Sequence, residues 1–273
     1  MKFAIVDGSK TEASKGAAGI CPSCGSELIA KCGVVKINHW AHKRISICDR
    51  WWESETEWHR AWKNKFPDHW QEISLPDELT GERHIADVRT EHGLVIEFQH
   101  SHIDHEERDA RERFYKNMVW VVDGTRLKRD YVRFLEGWQK DFRSTLKKWI
   151  YFVYIPGKWF PVGWTTSSVP VIFDFLGAES VTDPADKRRA LYCLFPGRLG
   201  KESVLAVMSR GAFITNTSNG EWQALTNNFV DWVGRISSGK EKPVTKEPKK
   251  VVFIRRGPQY FFERGRWRKH RPL

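Results

Sequence analysis

A predicted β-hairpin with two facing carboxylates limits the fold of this chain more than any other segment. Two strand-like runs, 84–90 and 94–101, are joined by a three-residue loop that ends in glycine. With that glycine in the left-handed conformation, the loop sets a register in which Asp87 lies opposite Glu97. Their Cβ atoms are then expected about 5 Å apart on one face of the hairpin. The alternation of strand side chains adds Gln99 to that face.

Two carboxylates at this separation repel each other unless a cation lies between them. The hairpin therefore predicts a divalent metal site held by Asp87 and Glu97. Hard oxygen ligands and retained water favour Mg²⁺ or Mn²⁺ over zinc at such a site. A pair of solvated surface carboxylates is the competing interpretation, because the spacing of two acids alone is a weak signal.

A predicted helix before the hairpin brings further polar side chains near it. Aromatic residues at helical spacing predict a helix over 53–66, which a proline ends. Glu55, His59 and Lys63 recur at intervals of four residues along one edge of this helix and flank its apolar stripe. They should therefore lie close to the sheet. Surface positions are the alternative for the Glu55–His59 pair.

The segments around the hairpin predict a defined order of elements. Residues 70–75 are typical of a strand, Asp104 is expected to cap a second helix, and residues 118–124 form an apolar run typical of a buried strand. The predicted order from residue 51 to residue 125 is α-β-β-β-α-β, which indicates an α/β fold.

A cluster of cysteine and histidine in the first 50 residues predicts a zinc site. Two close pairs of metal-ligating side chains occur there: Cys21 with Cys24, and His39 with His42. Two sulfur and two imidazole ligands suit a tetrahedral structural zinc. Two residues separate the histidines, fewer than the usual three to five of a DNA-reading finger, so a structural knuckle is favoured. Cys32 and Cys48 are alternative ligands, and buried thiols with surface histidines are the alternative to any metal site.

Composition and charge divide the chain into four regions. These are an N-terminal strand with the Cys/His knuckle (1–50), the αβββαβ core (51–125), a helix with a β-rich C-terminal region of apolar runs (126–236), and a basic linker and tail (237–273). Residues 241–273 carry eleven basic and three acidic side chains, which is +8 of the total formal charge of +11. This uneven charge suggests a polyanionic partner.

The tail interleaves arginine with aromatic residues, a composition suited to phosphate pairing and base stacking. Its candidate nucleic-acid-binding residues are Arg255, Arg256, Arg266 and Arg268. A basic tail that only keeps the protein soluble is the alternative.

Several classes of protein are disfavoured by composition. No apolar run approaches the roughly 18 residues that a membrane helix needs, and the first ten residues lack the apolar core of a signal peptide. Hydrophobic residues make up 40% of the chain and 14 residues are Trp, which argues against disorder. Five cysteines, an odd number, argue against a secreted disulfide scaffold. We expect a globular cytoplasmic protein without membrane insertion.

Four motifs follow one another along the chain: CPSCG with HWAH, ETEWHRAWK, RHIADV and IEFQHS. Together they resemble the competence protein CoiA-like family. They are also similar, more distantly, to PD-(D/E)XK nucleases with the restriction-endonuclease-like fold. The resemblance covers about residues 1–125. It implies that Asp87 and Glu97 are metal ligands, that Gln99 takes the place of the motif's lysine, and that Glu55 assists through a metal-bound water.

The resemblance predicts a metal-dependent nuclease that hydrolyses phosphodiester bonds, with DNA as the favoured substrate. A metal held by Asp87, Glu97 and the Phe98 carbonyl would activate a water and neutralise phosphate charge, with His59 orienting the nucleophile or contacting phosphate. Gln99 carries no charge, whereas the motif's lysine is positively charged. Lys63 and Arg83 are the candidates for supplying that positive charge from elsewhere and for contacting nucleic acid. Arg108, Arg111 and Arg113 of the second predicted helix are candidates for contacting the nucleic-acid backbone, with a charge-rich solvated helix face as the alternative.

Two alternatives to a nuclease stay open. The first is a non-catalytic, competence-related accessory protein that binds or processes nucleic acid on a degenerate nuclease fold, which the uncharged Gln99 favours. The second is a protein-interaction scaffold, which the cluster of acids on one strand face disfavours.

Overall fold

The computed structural model describes residues 1–44, 48–78, 80–177, 179–240, 260–263 and 266–269. Five short strands form an N-terminal sheet: β1 to β5 span Phe3–Val6, Ser9–Glu12, Ala18–Ile20, Glu27–Lys31 and His39–His42. Their spatial order is β2-β1-β3-β4-β5, and all neighbours are antiparallel. Trp40 and Leu28 are the largest side chains buried in this sheet's own apolar cluster.

The central segment has the predicted order of elements. In sequence these are α1 (Glu57–Lys63), β6 (Gln71–Pro76), β7 (Arg83–Arg89), β8 (Val95–Gln99), α2 (His105–Tyr115) and β9 (Met118–Asp123), with a 3-10 helix at Asp68–Trp70 before β6. Helix α1 is shorter than predicted, because the side chain of Thr56 accepts a hydrogen bond from the amide of His59 and starts the helix there. Glu55 therefore lies just before α1.

The rest of the described chain continues with strands and ends in helices. Its elements are α3 (Lys128–Lys140), β10 (Phe142–Ser144), β11 (Ile150–Tyr154), β12 (Val171–Asp174), β13 (Ala190–Leu194), β14 (Glu202–Ser209), α4 (Arg210–Ser218), α5 (Glu221–Ser237), β15 (Tyr260–Glu263) and β16 (Arg266–Lys269). Short 3-10 helices lie at Pro156–Lys158, Val162–Trp164 and Lys187–Arg189. The apolar run after residue 203 is not one strand, because Ser209 caps α4 by accepting from the amide of Ala212.

Nine strands form one sheet in the order β10-β11-β14-β13-β12-β9-β8-β7-β6. Strands β8 and β12 both run parallel to β9, and the other neighbours are antiparallel. Residues 126–236 therefore extend the sheet of residues 51–125. The region begins with the predicted helix, which is α3, and its β-rich part also contains α4 and α5. Strands β15 and β16 pair with each other in a hairpin.

Helices cover both faces of the nine-stranded sheet. Successive residues of β9 alternate between two apolar clusters: Val121 packs with side chains of α1, α4 and α5, whereas Trp120 packs with side chains of α2 and α3. The indole nitrogens of Trp58 and Trp62 both donate to Asp174 of β12, at 3.2 and 3.0 Å, and this fixes α1 on the sheet. In the described part of the chain, no helix is long and apolar enough to cross a membrane.

Candidate active site and metal centre

A small pocket of about 60 Å³ lies where α1 meets β6, β7 and β8. Its charged and polar lining includes Asp49, Glu53, Glu55, His59, Lys63, Glu72, Asp87, Glu97 and Arg111. Four of the five catalytic residues suggested by the sequence thus meet in one place. The fifth, Gln99, lies outside the lining.

The hairpin has the predicted register. Gly93 has a φ of +77°, Thr90 and Leu94 close the loop with a hydrogen bond, and Val88 pairs with Ile96. The next position places Asp87 across from Glu97. Here the main-chain amides donate to side-chain carboxylates instead of to main-chain carbonyls of the opposite strand. The amide of Asp87 donates to Glu97 at 3.1 Å, and the amide of Phe98 donates to Asp87 at 3.0 Å.

Glu72 is a site residue that sequence reasoning missed. The ladder between β6 and β7 passes from Gln71–Val88 to Ile73–Ala86, and Glu72 between them has a φ of +49°. Its carboxylate accepts from the amides of Lys2 and Phe3 at 2.6 and 3.0 Å. It thereby connects strand β1 to the pocket. The only signal in the sequence is one acid inside a short, strand-like run.

Lys63 is the central cation of the pocket. Its ammonium nitrogen lies 2.7 Å from Glu55, 2.9 Å from Glu72 and 3.8 Å from Asp87, and its side chain is 3% exposed. Burial alone would lower the pKa of Lys63, but the three carboxylates raise it above its ordinary value. The same ion pairs outweigh burial at Glu55 and Glu72 and lower the pKa of both. Lys63 is therefore a buried, charged group.

Asp87 and Glu97 have the opposite tendency. Burial and the neighbouring charge of Asp87 raise the pKa of Glu97 to about 8, although Arg111 contacts it at 3.1 Å. Burial also raises the pKa of Asp87, whose side chain is 25% exposed. These two acids hold their negative charge less readily than Glu55 and Glu72. An added cation near this pair would stabilise the charged forms of both acids.

His59 holds the strand that carries Glu97. The amide of Thr56 donates to its Nδ1 at 3.2 Å, which leaves the proton on Nε2 to bond the Phe98 carbonyl at 2.9 Å. The Phe98 carbonyl, predicted as a metal ligand, is thus a hydrogen-bond acceptor for His59.

Gln99, Arg83 and Arg108 lie outside the pocket lining, whereas Arg111 belongs to it and contacts Glu97. The Gln99 amide donates to Glu53 at 2.6 Å. Arg108 and Arg111 are 1% and 5% exposed and pair with acids, so neither presents its guanidinium to solvent as a phosphate-contacting surface requires. Arg83 is exposed and donates to Ser74. Of the predicted tail arginines, Arg255 and Arg256 lie outside the described residues, whereas Arg266 and Arg268 belong to β16.

A separate group of Cys and His side chains can bind a metal such as zinc. The ligand atoms of Cys21, Cys24, His42 and Cys48 all lie within 4.8 Å of one another. The sulfurs of Cys21 and Cys48 are 3.9 Å apart, and Cys24 Sγ is 3.3 Å from His42 Nε2. A tetrahedral zinc with ordinary bond lengths needs separations of about 3.8 and 3.5 Å, so the four residues fit.

Cys48 replaces the predicted ligand His39 in this group. His39 and His42 both lie on β5, and residues three apart on a strand point to opposite faces. The ring of His39 instead meets the carbonyl of Ile37 at 2.9 Å. A hydrogen bond from Cys48 lowers the pKa of the Cys21 thiol to about 4, which favours the thiolate that zinc needs.

The carboxylate pocket differs from the Cys/His group in spacing. Within the described residues, no other three Cys, His, Asp or Glu side chains are gathered closely enough to share one ion. In the carboxylate pocket, the ammonium of Lys63 occupies the space among Glu55, Glu72 and Asp87 where a metal ion would otherwise lie.

Zinc content distinguishes the observed ligand set from the predicted one. We expect purified protein to contain one zinc, Cys48→Ser to lose most of it, and His39→Ala to keep it, because only Cys48 belongs to the group. Elemental analysis of the three proteins measures this. Equal zinc in Cys48→Ser and wild type, with loss in His39→Ala, would restore the Cys₂His₂ assignment.

Fold and sites together define a mixed α/β protein with a buried carboxylate pocket and a Cys₃His group suited to a metal. Residues 8–50 match the family model described as Competence protein CoiA, N-terminal domain, and the match includes all four ligands of the Cys₃His group. The CoiA-like resemblance drawn from the motifs is confirmed over this segment, which ends before α1. No curated protein and no solved structure matches the chain.

Proposed function

We propose that the protein is a metal-dependent nuclease that hydrolyses phosphodiester bonds, with DNA as the favoured substrate and Asp87 and Glu97 holding Mg²⁺ or Mn²⁺. The position of Lys63 is the observation that supports this most. Its ammonium lies beside Asp87 and Glu55, so α1 places a positive charge where Gln99 of β8 supplies none. A cation at this point can stabilise the charge that develops on a phosphate under attack.

The raised pKa values of Asp87 and Glu97 also support a metal at this pair. A divalent ion would relieve their repulsion, lower the pKa of a bound water and neutralise charge on the phosphate. Asp87 is the more exposed of the two, so an ion would enter on its side. In this proposal Glu55 would accept a hydrogen bond from a metal-bound water, and His59 would act as a positioning residue through its contact with the Phe98 carbonyl.

Neutral replacements of the two acids test the proposal. We expect Asp87→Asn and Glu97→Gln to abolish Mg²⁺- or Mn²⁺-dependent cleavage of single- and double-stranded DNA, because each removes a charged metal ligand. Glu91→Gln is the matched control, since Glu91 is an exposed acid in the loop of the same hairpin. Cleavage that persists in both site variants would remove the catalytic assignment.

The pairing of the pocket acids favours a second candidate, a non-catalytic nucleic-acid-binding accessory protein related to competence. Lys63 and Arg111 already partner Asp87 and Glu97, so these two acids have cations of the protein beside them without a metal. This candidate predicts salt-sensitive binding of nucleic acid in wild type without metal-dependent cleavage. The same cleavage assay, run beside a binding titration at two salt concentrations, separates the two candidates.

A further inference from the structure

A second, larger cavity of about 390 Å³ lies at the carboxyl ends of the three adjacent parallel strands β8, β9 and β12. The residues that follow or end these strands, His100, Asp123 and Phe175, line it. Ligands of open α/β sheets bind at the carboxyl ends of parallel strands, and the volume is in the range of small-ligand pockets.

An oriented histidine borders this cavity. His100 Nδ1 lies 2.8 Å from the carboxylate of Asp123, whose other oxygen accepts from the amide and hydroxyl of Thr125 at 2.8 and 2.6 Å. Asp123 thus holds the ring in one orientation, in which Nε2 is the nitrogen that a ligand would meet. His100 is 36% exposed, so a ligand can reach it from solvent.

The lining of the cavity combines apolar walls, which suit a flat heterocycle, with basic side chains that include Arg108 and Arg126. Its apolar part includes Val122, Trp164 and Phe173. Its acids are already engaged: Asp104 caps α2, Asp123 holds His100, and Asp130 pairs with Arg133. Apolar walls with a few polar groups match a nucleobase, which is apolar on its faces and hydrogen-bonding at its edge.

The cavity adjoins the carboxylate pocket. His59 lines the pocket, His100 lines the cavity, and the two rings are 6.1 Å apart between centroids. Glu53 also links the sites, because it accepts from Gln99 and from the amide of Ser101. A base in the cavity and the phosphate of the same strand at Asp87 are therefore neighbours.

We infer that the cavity receives one unstacked nucleobase of the strand whose phosphodiester lies at the carboxylate pocket, so that the substrate is single-stranded nucleic acid. This rests on the proposed function. A base in a duplex is paired and stacked, and placing it in the cavity costs the energy of extruding it. A single strand has no such cost, so the cavity selects single strands over duplexes.

Filling the cavity tests the inference. A Cβ atom at Gly163, which lines the cavity, meets nothing within 4 Å, so a larger side chain such as that of Gly163→Phe can begin there without a clash at Cβ. We expect this variant to bind a labelled single-stranded DNA roughly tenfold more weakly than wild type, because a base loses its stacking site. Gly234→Phe, at an equally open position on the exposed surface of α5, should bind as wild type does.

Fluorescence anisotropy without added Mg²⁺ or Mn²⁺ measures binding apart from cleavage, with thermal melting as the check on folding. Tighter binding of single strand than of duplex, weakened by Gly163→Phe alone, supports the inference even where the protein cleaves nothing; in that case only the nuclease proposal fails. Unchanged binding by a folded Gly163→Phe, or tighter binding of duplex by wild type, overturns the inference even if cleavage is observed. Absence of any nucleic-acid binding overturns both.

Discussion

Replacing Lys63 with methionine is expected to lower the free energy of unfolding by about 3–5 kcal/mol at neutral pH, the cost of removing one partner from a buried ion pair. Methionine fills similar volume, so the loss comes from charge. Without the ammonium, Glu72 and Asp87 lose their lysine partner, and Glu55 keeps only its ion pair with Arg60. Urea denaturation of wild type and variant measures the difference.

The loss of stability caused by Lys63→Met should depend on pH in a defined direction. In wild type, Lys63 lowers the pKa of Glu72 below its ordinary value, so this contribution to stability is complete above about pH 4.5 and is lost as pH falls. In the variant, burial is no longer opposed by Lys63, so the pKa of Glu72 is higher than in wild type and the folded state takes up a proton at a higher pH. The difference between the two proteins should therefore be largest at pH 7–8 and should narrow toward about pH 5.

Two control variants separate charge from position. Lys65→Met removes an exposed lysine immediately after α1 and should change stability little. Lys63→Arg retains the charge in a bulkier group and should recover part of the loss. A deficit in Lys63→Met that is the same at pH 5 and pH 8 would mean that packing, and not charge, makes Lys63 important.

Local patterns predicted much of the central segment. Helical spacing, strand alternation and the three-residue loop act over a few residues, so they indicated the αβββαβ order and the register of Asp87 with Glu97. The start of α1 was predicted too early in the sequence, because a single cap at Thr56 decides it. The junction of residues 126–236 with the same sheet depends on the pairing of β12 with β9, which lie some 50 residues apart in sequence and leave no periodic signal.

Residues that are distant in sequence but close in space complete both sites, and local sequence patterns do not indicate them. The i, i+4 pattern brought His59 and Lys63 of α1 to one pocket, and Glu55 joins them from the residues just before the helix. Glu72 is brought there by an irregularity in β6 that no spacing indicates. At the Cys/His group, the short sequence separation between His39 and His42 led to the prediction of both as ligands. On β5 the two side chains point to opposite faces, and Cys48 is the fourth ligand in place of His39.

One extended segment connects the Cys₃His group to the pocket. It begins at the ligand Cys48, and alternate residues after it contact the site. Asp49 accepts from the amide of Ile85 on β7 at 2.8 Å, and the carbonyl of Trp51 accepts from Arg111. Glu53 then binds Gln99 and Ser101, and Glu55 binds Lys63. A metal held at Cys48 therefore anchors residues that position both Arg111 and Lys63.

Loss of the metal is expected to loosen this segment and the N-terminal sheet while the central sheet stays folded. Structural zinc contributes apparent binding free energies of about 10–16 kcal/mol in small zinc-finger peptides, and the five-stranded sheet has only a small apolar cluster of its own. We expect Cys48→Ser to speed amide hydrogen exchange in residues 48–55 and in β1 to β5, and to leave β9 and β12 to β14 protected.

His39→Ala is the matched control for this experiment, because it alters β5 without removing a ligand. It should exchange as wild type does, and restoring zinc to chelator-treated wild type should return protection to residues 48–55. Protection that is unchanged in zinc-free protein would show that Asp49, Glu53 and Glu55 hold the segment by themselves. In that case the carboxylate pocket would not depend on the metal, because its own ion pairs at Lys63 would suffice to position α1 and the hairpin.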